Sequence, residues 1–227
     1  MSIWVAVISG LALVMLAHEG AAQTNCDPPV IHNASTPEAI QSYFQKRGKT
    51  VLTFLGYSGA GYEDTAAMLA HATSILDSYD PRKTIVNIGA TIDGIGVVYE
   101  LAKKKGFETT GIVSSQARVH KATIAPCAGT VFFVEDVSWG GLIEGTKTLS
   151  PTSTVMVRVS DHIVAIGGGD VARDEFKAAA DLGKKPQFFA ADMNHEVARA
   201  SAAKKNKPEP KDFRGALGAA QADASKK

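Results

Sequence analysis

Several residue types that mark particular protein classes are scarce in this sequence. Only two of its 227 residues are cysteine, and only 7% are aromatic. Two cysteines are too few for a disulfide-rich scaffold, and they cannot complete a four-ligand zinc site by themselves. The formal net charge is +1, which lacks the cationic excess typical of nucleic-acid-binding proteins. These shortages leave an ordinary globular protein of one domain, or at most two small ones, without a nucleic-acid partner.

One long hydrophobic run does occur, over residues 3–17. It is shorter than the roughly 20 apolar residues that span a bilayer, and the small residues Gly20, Ala21 and Ala22 follow it. Small residues at such positions are typical of signal-peptidase sites. We therefore predict a signal peptide over residues 1–22 and an exported protein, periplasmic or secreted, with no membrane association after cleavage. An uncleaved N-terminal anchor is the alternative.

The two cysteines, Cys26 and Cys127, would lie in an oxidising compartment after export. A disulfide between them would close a loop of about 100 residues and tether the N-terminal segment, residues 23–48, to the domain. Two unrelated thiols are the alternative, with Cys127 buried as a small hydrophobic residue. No constellation of histidine and acid accompanies either cysteine, so a catalytic thiol is not predicted.

Segments typical of strands and of helices alternate along most of the chain. The strand-like runs include VLTFLGY (51–57), TIVNIG (84–89), ETTGIVSS (108–115), TVFFVED (130–136) and PQFFA (186–190). This alternation predicts an α/β fold, a doubly wound parallel sheet of Rossmann type, over residues 49–200. A short helix is predicted from Pro37, in the N-terminal segment. Residues 201–227 hold seven basic and three acidic residues without hydrophobic periodicity, which predicts a basic, disordered tail.

Three glycine-rich turns follow strands of the predicted sheet: GYSGAGYE (56–63), GATIDGIG (89–96) and GGGD (167–170). Doubly wound sheets bind ligands at the carboxyl ends of their strands. Glycine there lets backbone amides approach an anion, and helix N-termini add partial positive charge. The turns therefore predict a site for a phosphate-bearing ligand, although turn geometry alone is an alternative reason for the glycines. None is a dinucleotide fingerprint or a P-loop. Trp139, after another strand, could stack on a base or simply pack.

The order and spacing of these segments over residues 51–190 resemble the SLOG superfamily, and most closely its LOG proteins, which are phosphoribohydrolases. Six residues match LOG motifs, three in the M-x-R-x-S-D segment and three in P-G-G-x-G-T-x-x-E: Arg158, Ser160 and Asp161, then Gly168, Gly169 and Glu175. The resemblance implies a Rossmann-like fold, a nucleotide-type ligand and a homodimer. It also implies that Glu175 is the catalytic carboxylate. Arg158 would clamp a phosphate or, alternatively, pair with Asp161.

The sequence departs from the LOG pattern at five positions. Gly167 stands in place of a proline, Val171 and Ala172 in place of Gly-Thr, and Thr152 and Ser153 in place of an Arg-Lys pair. In LOG proteins that arginine takes part in glycosidic cleavage. These departures favour a protein that binds or senses its ligand over one that cleaves it.

We therefore predict an exported, LOG-like protein that binds a nucleotide or nucleotide-derived ligand, as a sensor or binder without chemistry. A divergent phosphoribohydrolase or N-glycosidase that uses Glu175 is the alternative, and a structural or interaction protein that has lost its ligand is the third hypothesis. Neither a cofactor nor a metal is predicted. The expected ligand-binding residues lie in the glycine turns, at strand ends and in the LOG-like motifs: Gly56, Ser58, Gly59, Gly89, Asp93, Gly94, Ser114, Arg158, Gly167, Gly168, Gly169 and Asp170.

Overall fold

The computed structural model describes residues 26–33 and 35–226. The predicted signal peptide, residues 1–22, lies outside the described residues. None of the helices in the described ranges combines the length and the hydropathy that a bilayer crossing requires.

Seven strands in the described chain form a single sheet in the order β1-β5-β4-β3-β2-β6-β7, and every neighbouring pair of strands is parallel. The doubly wound α/β fold that the sequence predicts is confirmed. After β5 the chain crosses back to place β6 on the other side of β2. The strands are β1 (Val30–His32), β2 (Thr50–Gly56), β3 (Thr84–Ile88), β4 (Glu108–Ser114), β5 (Thr130–Val134), β6 (His162–Ile166) and β7 (Gln187–Phe189).

Eight α-helices accompany the sheet within the described ranges. The predicted helix at Pro37 begins after Thr36, whose hydroxyl accepts a hydrogen bond from the Ala39 amide at 3.2 Å, and it ends at Gly48 in a left-handed conformation. The helices are α1 (Pro37–Arg47), α2 (Thr65–Leu76), α3 (Val98–Lys104), α4 (Gln116–Val119), α5 (Pro151–Val159), α6 (Asp170–Asp181), α7 (His195–Lys204) and α8 (Gly215–Ala224). Two 3₁₀ helices, Gly94–Val97 and Pro126–Ala128, complete the connections.

Apolar side chains cover both faces of the sheet. On one face, Phe54 and Ile88 pack with buried residues of α2 and α3. On the other face, Ile85 packs with α1 and α5, and Ala165 packs with α6 and α8. Central strands buried on both sides need apolar residues at nearly every position, which explains the continuous hydrophobic runs in the sequence.

The prediction of a disordered tail over residues 201–227 is wrong for much of that segment. Helix α7 continues to Lys204, and Gly215–Ala224 forms α8. Leu217 of α8 is only 1% exposed, and its amide donates to the Gly168 carbonyl at 3.1 Å. The segment has a single large buried apolar anchor, so it shows no periodicity. The core partners of Leu217, among them Leu55 and Ala172, lie much earlier in the chain, where a local pattern cannot reveal them.

Candidate functional site

A cavity of about 510 Å³ opens at the carboxyl edge of the sheet, above the ends of β2, β3 and β4. Its walls are the turns after these strands, the segment 122–124, and the first turns of α5 and α6. Doubly wound sheets bind their ligands at this carboxyl edge. Seven of the predicted site residues line the cavity: Gly56, Ser58, Gly59, Gly89, Asp93, Ser114 and Glu175.

The turns after β2 and β3 are packed tightly against each other. The Ile95 amide donates to the Tyr57 carbonyl at 2.7 Å. Gly94 has a φ of 59°, and a Cβ there would lie 2.2 Å from the same carbonyl oxygen. Only glycine fits such a position. Gly94 therefore joins the two turns, although it does not itself line the cavity.

Glu175 forms part of the cavity floor. It lies in α6 and is 4% exposed. The Ser153 hydroxyl donates to Glu175 Oε1 at 2.6 Å and accepts from the Gly141 amide at 2.7 Å. Oε2 has no hydrogen-bond partner in the described chain. Burial raises the pKa of Glu175 to about 7, the hydrogen bond from Ser153 opposes that rise, and the nearby Asp174 carboxylate adds to it.

Two residues of α5, known from the sequence only as departures from the LOG pattern, belong to this floor. Ser153 holds Glu175, and Thr152 lines the cavity. The Thr152 amide donates to Asp136 Oδ2 at 3.0 Å. Its hydroxyl is buried near the same carboxylate but, within the described residues, has no partner in regular hydrogen-bond geometry. Ser153 and Glu175 are 22 positions apart, and only the packing of α5 beside α6 brings them together.

No protein-family model and no curated protein matches the chain. Among solved structures, it is similar to the molybdenum cofactor carrier protein of Chlamydomonas reinhardtii, with 17% identity and a TM-score of 0.46 over 78% of this chain and 99% of that one. It is also similar to TM1055, a structural-genomics target, with 17% identity and a TM-score of 0.44 over 60% of this chain and 72% of that one. The likeness is one of fold.

The third glycine turn, after β6, lies under the C-terminal segment and does not line the cavity. A Cβ at Gly167 would lie 2.6 Å from the Tyr57 ring, and a Cβ at Gly168 would lie 2.6 Å from that of Ala172. The Tyr57 hydroxyl donates to the Arg214 carbonyl at 2.6 Å, which holds the C-terminal segment over the turn. The glycines of this turn therefore serve close packing.

Gly169 and Asp170 also lie outside the cavity lining, although Val171 and Ala172 of the same helix start belong to it. Gly169 precedes the helix, and Asp170 is its first residue. The Asp170 carboxylate accepts from Arg173 Nη1 at 2.8 Å, and its side chain is 79% exposed. The acid cluster that begins α6 thus engages a cation of its own helix.

The predicted role of Arg158 in ligand binding is wrong. It lies exposed in the last turn of α5, which leads to the start of β6 at the amino edge of the sheet. The adjoining Asp161 carboxylate accepts from the amide of Val51 at 2.8 Å, close to the beginning of β2. The M-x-R-x-S-D segment is therefore at the edge opposite the cavity, and Arg158 cannot clamp a ligand there. Among the described residues it forms no ion pair with Asp161 either.

Cys26 and Cys127 form a disulfide, with their Cα atoms 5.1 Å apart. This is the first of the two arrangements considered from the sequence. Cys127 belongs to the 3₁₀ helix Pro126–Ala128, which directly follows the cavity wall at 122–124. The disulfide therefore joins the beginning of the described chain to the segment that supports this wall.

Proposed function

We propose that this protein binds a small nucleotide-derived ligand in the cavity at the carboxyl edge of its sheet, without chemistry on the ligand. The observation that carries the proposal is a cavity of about 510 Å³ with the buried Glu175 carboxylate in its floor. Oε1 of this carboxylate accepts from Ser153, and Oε2 has no hydrogen-bond partner in the described chain. Small-molecule sites have about this size and combine apolar walls with a few polar groups. Here Ile92, Ile124 and Trp139 are among the apolar walls.

The turn after β2 adds hydrogen-bond donors at the mouth of this cavity. The backbone amides of Ser58, Gly59 and Ala60 have no hydrogen-bond partner in the described chain, and Ser58 and Gly59 line the cavity. Gly59 has open space around the position of a Cβ, so a ligand atom can approach its backbone closely. These amides could bond to a sugar hydroxyl or a ring acceptor.

Binding without cleavage is favoured by the replacement of the Arg-Lys pair. Cleaving an N-glycosidic bond requires a carboxylate near the developing positive centre and a group that stabilises the departing base. Thr152 and Ser153 occupy the positions of the cations, and Ser153 is engaged with Glu175. A hydroxyl supplies no positive charge, so the floor lacks the second requirement.

A hydrolase is the second candidate, and one observation favours it. A carboxyl group with a pKa of about 7, as Glu175 has, is suited to donate or accept a proton near neutral pH. Such a group lining a cavity is a frequent feature of glycosidase sites.

Two measurements on the purified protein separate these functions. Nucleosides and nucleoside monophosphates at millimolar concentration are added, and thermal unfolding and release of free base are recorded. We expect a rise in Tm without product. Base released by the wild type and not by Glu175→Gln would establish the hydrolase instead. If neither stabilisation nor product appears with any of these compounds, the protein does not bind this class, and the structural role remains.

We also propose that the protein acts outside the cytoplasm. The disulfide between Cys26 and Cys127 supports this, because such bonds persist in oxidising compartments. The intact mass of protein recovered from the periplasm or the medium should correspond to a chain that begins at Gln23 and contains two fewer hydrogens than the reduced form. Recovery of the full-length chain from the membrane fraction would instead establish an uncleaved anchor.

A further inference from the structure

The charges around the cavity all have the same sign. Among the described residues that line it, Asp93 and Glu175 are the only ones with ionisable side chains. Two basic residues, Arg173 and Lys177, lie two positions from Glu175 in the sequence. Lys177 pairs with Asp181. Arg173 places its guanidinium on Asp170 and Asp174, with donor–acceptor distances of 2.8 Å to each. Both cations are therefore neutralised by acids of their own helix, and the cavity has no basic side chain of its own.

The polar atoms of the floor favour a ligand that donates hydrogen bonds. Glu175 Oε2 has no partner in the described chain, and a carboxylate oxygen accepts. The Ser114 hydroxyl, also at the cavity, donates to the Ser138 carbonyl, so its donor is already used. A heterocyclic N–H or amino group on the ligand would satisfy Oε2. A phosphate oxygen would meet two carboxyl groups and no cation.

The acidic cavity differs from the phosphate site that the three glycine turns predict. Phosphate sites rely on lysine or arginine, on helix N-termini or on converging backbone amides. The helix N-terminus that follows the third glycine turn carries Asp170, and that turn is buried beneath the C-terminal segment. The exposed amides of the turn after β2 are available, but they lie in the same cavity as both acids.

On the basis of the proposed function, we propose that the cavity selects phosphate-free members of the nucleotide class, nucleosides or free heterocyclic bases, which donate an N–H group to Glu175 Oε2. The ring would lie against the apolar walls that include Trp139, and hydroxyls would face the turn after β2. A terminal phosphate is disfavoured because it would bring like charges together in a partly enclosed site.

The test compares each nucleoside with its own monophosphate. Affinities of the oxidised protein for adenosine and AMP, and for guanosine and GMP, are measured by isothermal titration calorimetry at pH 7.5. We expect at least one nucleoside to bind more tightly than its monophosphate by at least about tenfold. Equal or tighter binding of the monophosphates would overturn this selectivity and leave the proposed function intact. Absence of binding by all four would overturn both.

Two variants probe the two acids separately. Asp93→Asn removes a charge from a side chain that makes no capping hydrogen bond, so the ratio of monophosphate affinity to nucleoside affinity should rise. Glu175→Gln should lower nucleoside affinity by about tenfold, because it weakens the acceptor. An unchanged nucleoside-to-monophosphate ratio in Asp93→Asn overturns the proposal even if Glu175→Gln fails to fold.

Matched controls use acids outside the cavity lining. Asp181→Asn changes an exposed residue near the end of α6 that pairs with Lys177, and Glu196→Gln changes an exposed residue in α7. Each alters net charge by the same amount as its test variant. Both should preserve the wild-type ratio of affinities. A control that changes the ratio as much as Asp93→Asn would show that overall charge, rather than the cavity, determines selectivity.

Discussion

The turn after β2 and the turn after β6 follow neighbouring strands of one sheet, yet of these two turns only the first lines the 510 Å³ cavity in the described chain. Ser58 and Gly59 in the first turn are exposed, whereas Gly167 and Gly168 in the second are buried. The second turn is covered by Tyr57 and by the segment that begins α8. In doubly wound sheets the usual ligand site is the crevice at the point where the strand order reverses, which here lies between β2 and β6. Here the chain's own C-terminal segment fills that side.

The two sides of the carboxyl edge are also held by different ends of the chain. The cavity side is held by a covalent bond, since Cys127 lies directly beyond the wall segment 122–124. The covered side is held by packing and hydrogen bonds around Leu217 and Tyr57. Similar glycine-rich sequences can therefore line an open cavity in one place and serve close packing in another, and the neighbouring segment determines which.

Removal of the disulfide should have the largest effect. In the double variant Cys26→Ala/Cys127→Ala we expect the free energy of unfolding to fall by about 4 kcal/mol, because the bond closes a loop with a sequence separation of 101. Urea denaturation measures the change. Reductant should destabilise the wild type similarly and leave the double variant unaffected. A loss below about 1 kcal/mol would show that the covalent tether contributes little to the cavity side.

Alanine substitutions in the two turns should lower the free energy of unfolding by very different amounts. Gly167→Ala should cost about 3 kcal/mol, because φ is 58° and the new Cβ would lie 2.7 Å from the Ala191 carbonyl. Gly59→Ala should cost less than about 0.5 kcal/mol, because no atom lies within 4 Å of its Cβ position. Urea denaturation of both variants provides the comparison. Equal losses would contradict the assignment of one turn to packing and the other to access.

The buried carboxyl group on the cavity side should make stability depend on pH. The pKa of Glu175 is about 7 in the folded protein, against an ordinary value of 4.5. Between these values the unfolded chain releases a proton that the folded protein retains, so the free energy of unfolding falls as pH rises, by up to about 3 kcal/mol. Glu175→Gln should therefore match the wild type at pH 4 and exceed its stability at pH 8.

Urea denaturation at both pH values tests this, with Glu196→Gln as the matched control. The control residue is exposed in α7, so its substitution should shift stability little at either pH. If Glu175→Gln differs from the wild type by the same amount at pH 4 and pH 8, Glu175 does not retain its proton in the folded protein. In that case its carboxylate is better solvated than its burial indicates.

A smaller loss of stability than that of Gly167→Ala is expected when the cover over the second turn is weakened. Tyr57→Phe removes hydrogen bonds from the hydroxyl to the carbonyls of Arg214 and Ala191, at 2.6 and 3.0 Å. We expect the free energy of unfolding to fall by about 1 kcal/mol and hydrogen exchange at the Leu217 amide to become faster. Tyr79→Phe is the control, because its hydroxyl makes no hydrogen bond in the described chain. Unchanged exchange at Leu217 would show that packing alone holds the C-terminal segment.

Much of the fold could be predicted from local sequence. Runs such as TIVNIG are apolar at nearly every position because β3 is buried on both faces, and helix α1 has its N-cap threonine and its C-terminal glycine in the expected places. The site was predictable where it depends on turns that directly follow strands. Ser58, Gly89 and Asp93 all line the cavity, because parallel strands place their carboxyl ends at one edge.

The remaining parts of the site depend on helix packing, which leaves no local pattern. The predicted role of Arg158 is wrong because a motif match does not specify which end of the sheet a helix terminus reaches. Conversely, the sequence indicates no role for Ser153; it shows only that a serine stands where LOG proteins have a cation. Its importance appears only where α5 meets α6 and its hydroxyl contacts Glu175.

The sequence by itself determined the class of the fold, the edge of the sheet at which a cavity lies and the positions of two cysteines able to pair. These features follow from local rules: strand hydrophobicity, turn chemistry and side-chain reactivity act over a few residues. Only the tertiary structure decided which glycine turns remain open, where Arg158 lies and how Glu175 is buried. Each of these depends on contacts between residues far apart in the chain, and burial, which sets both packing and pKa, exists only after those contacts form.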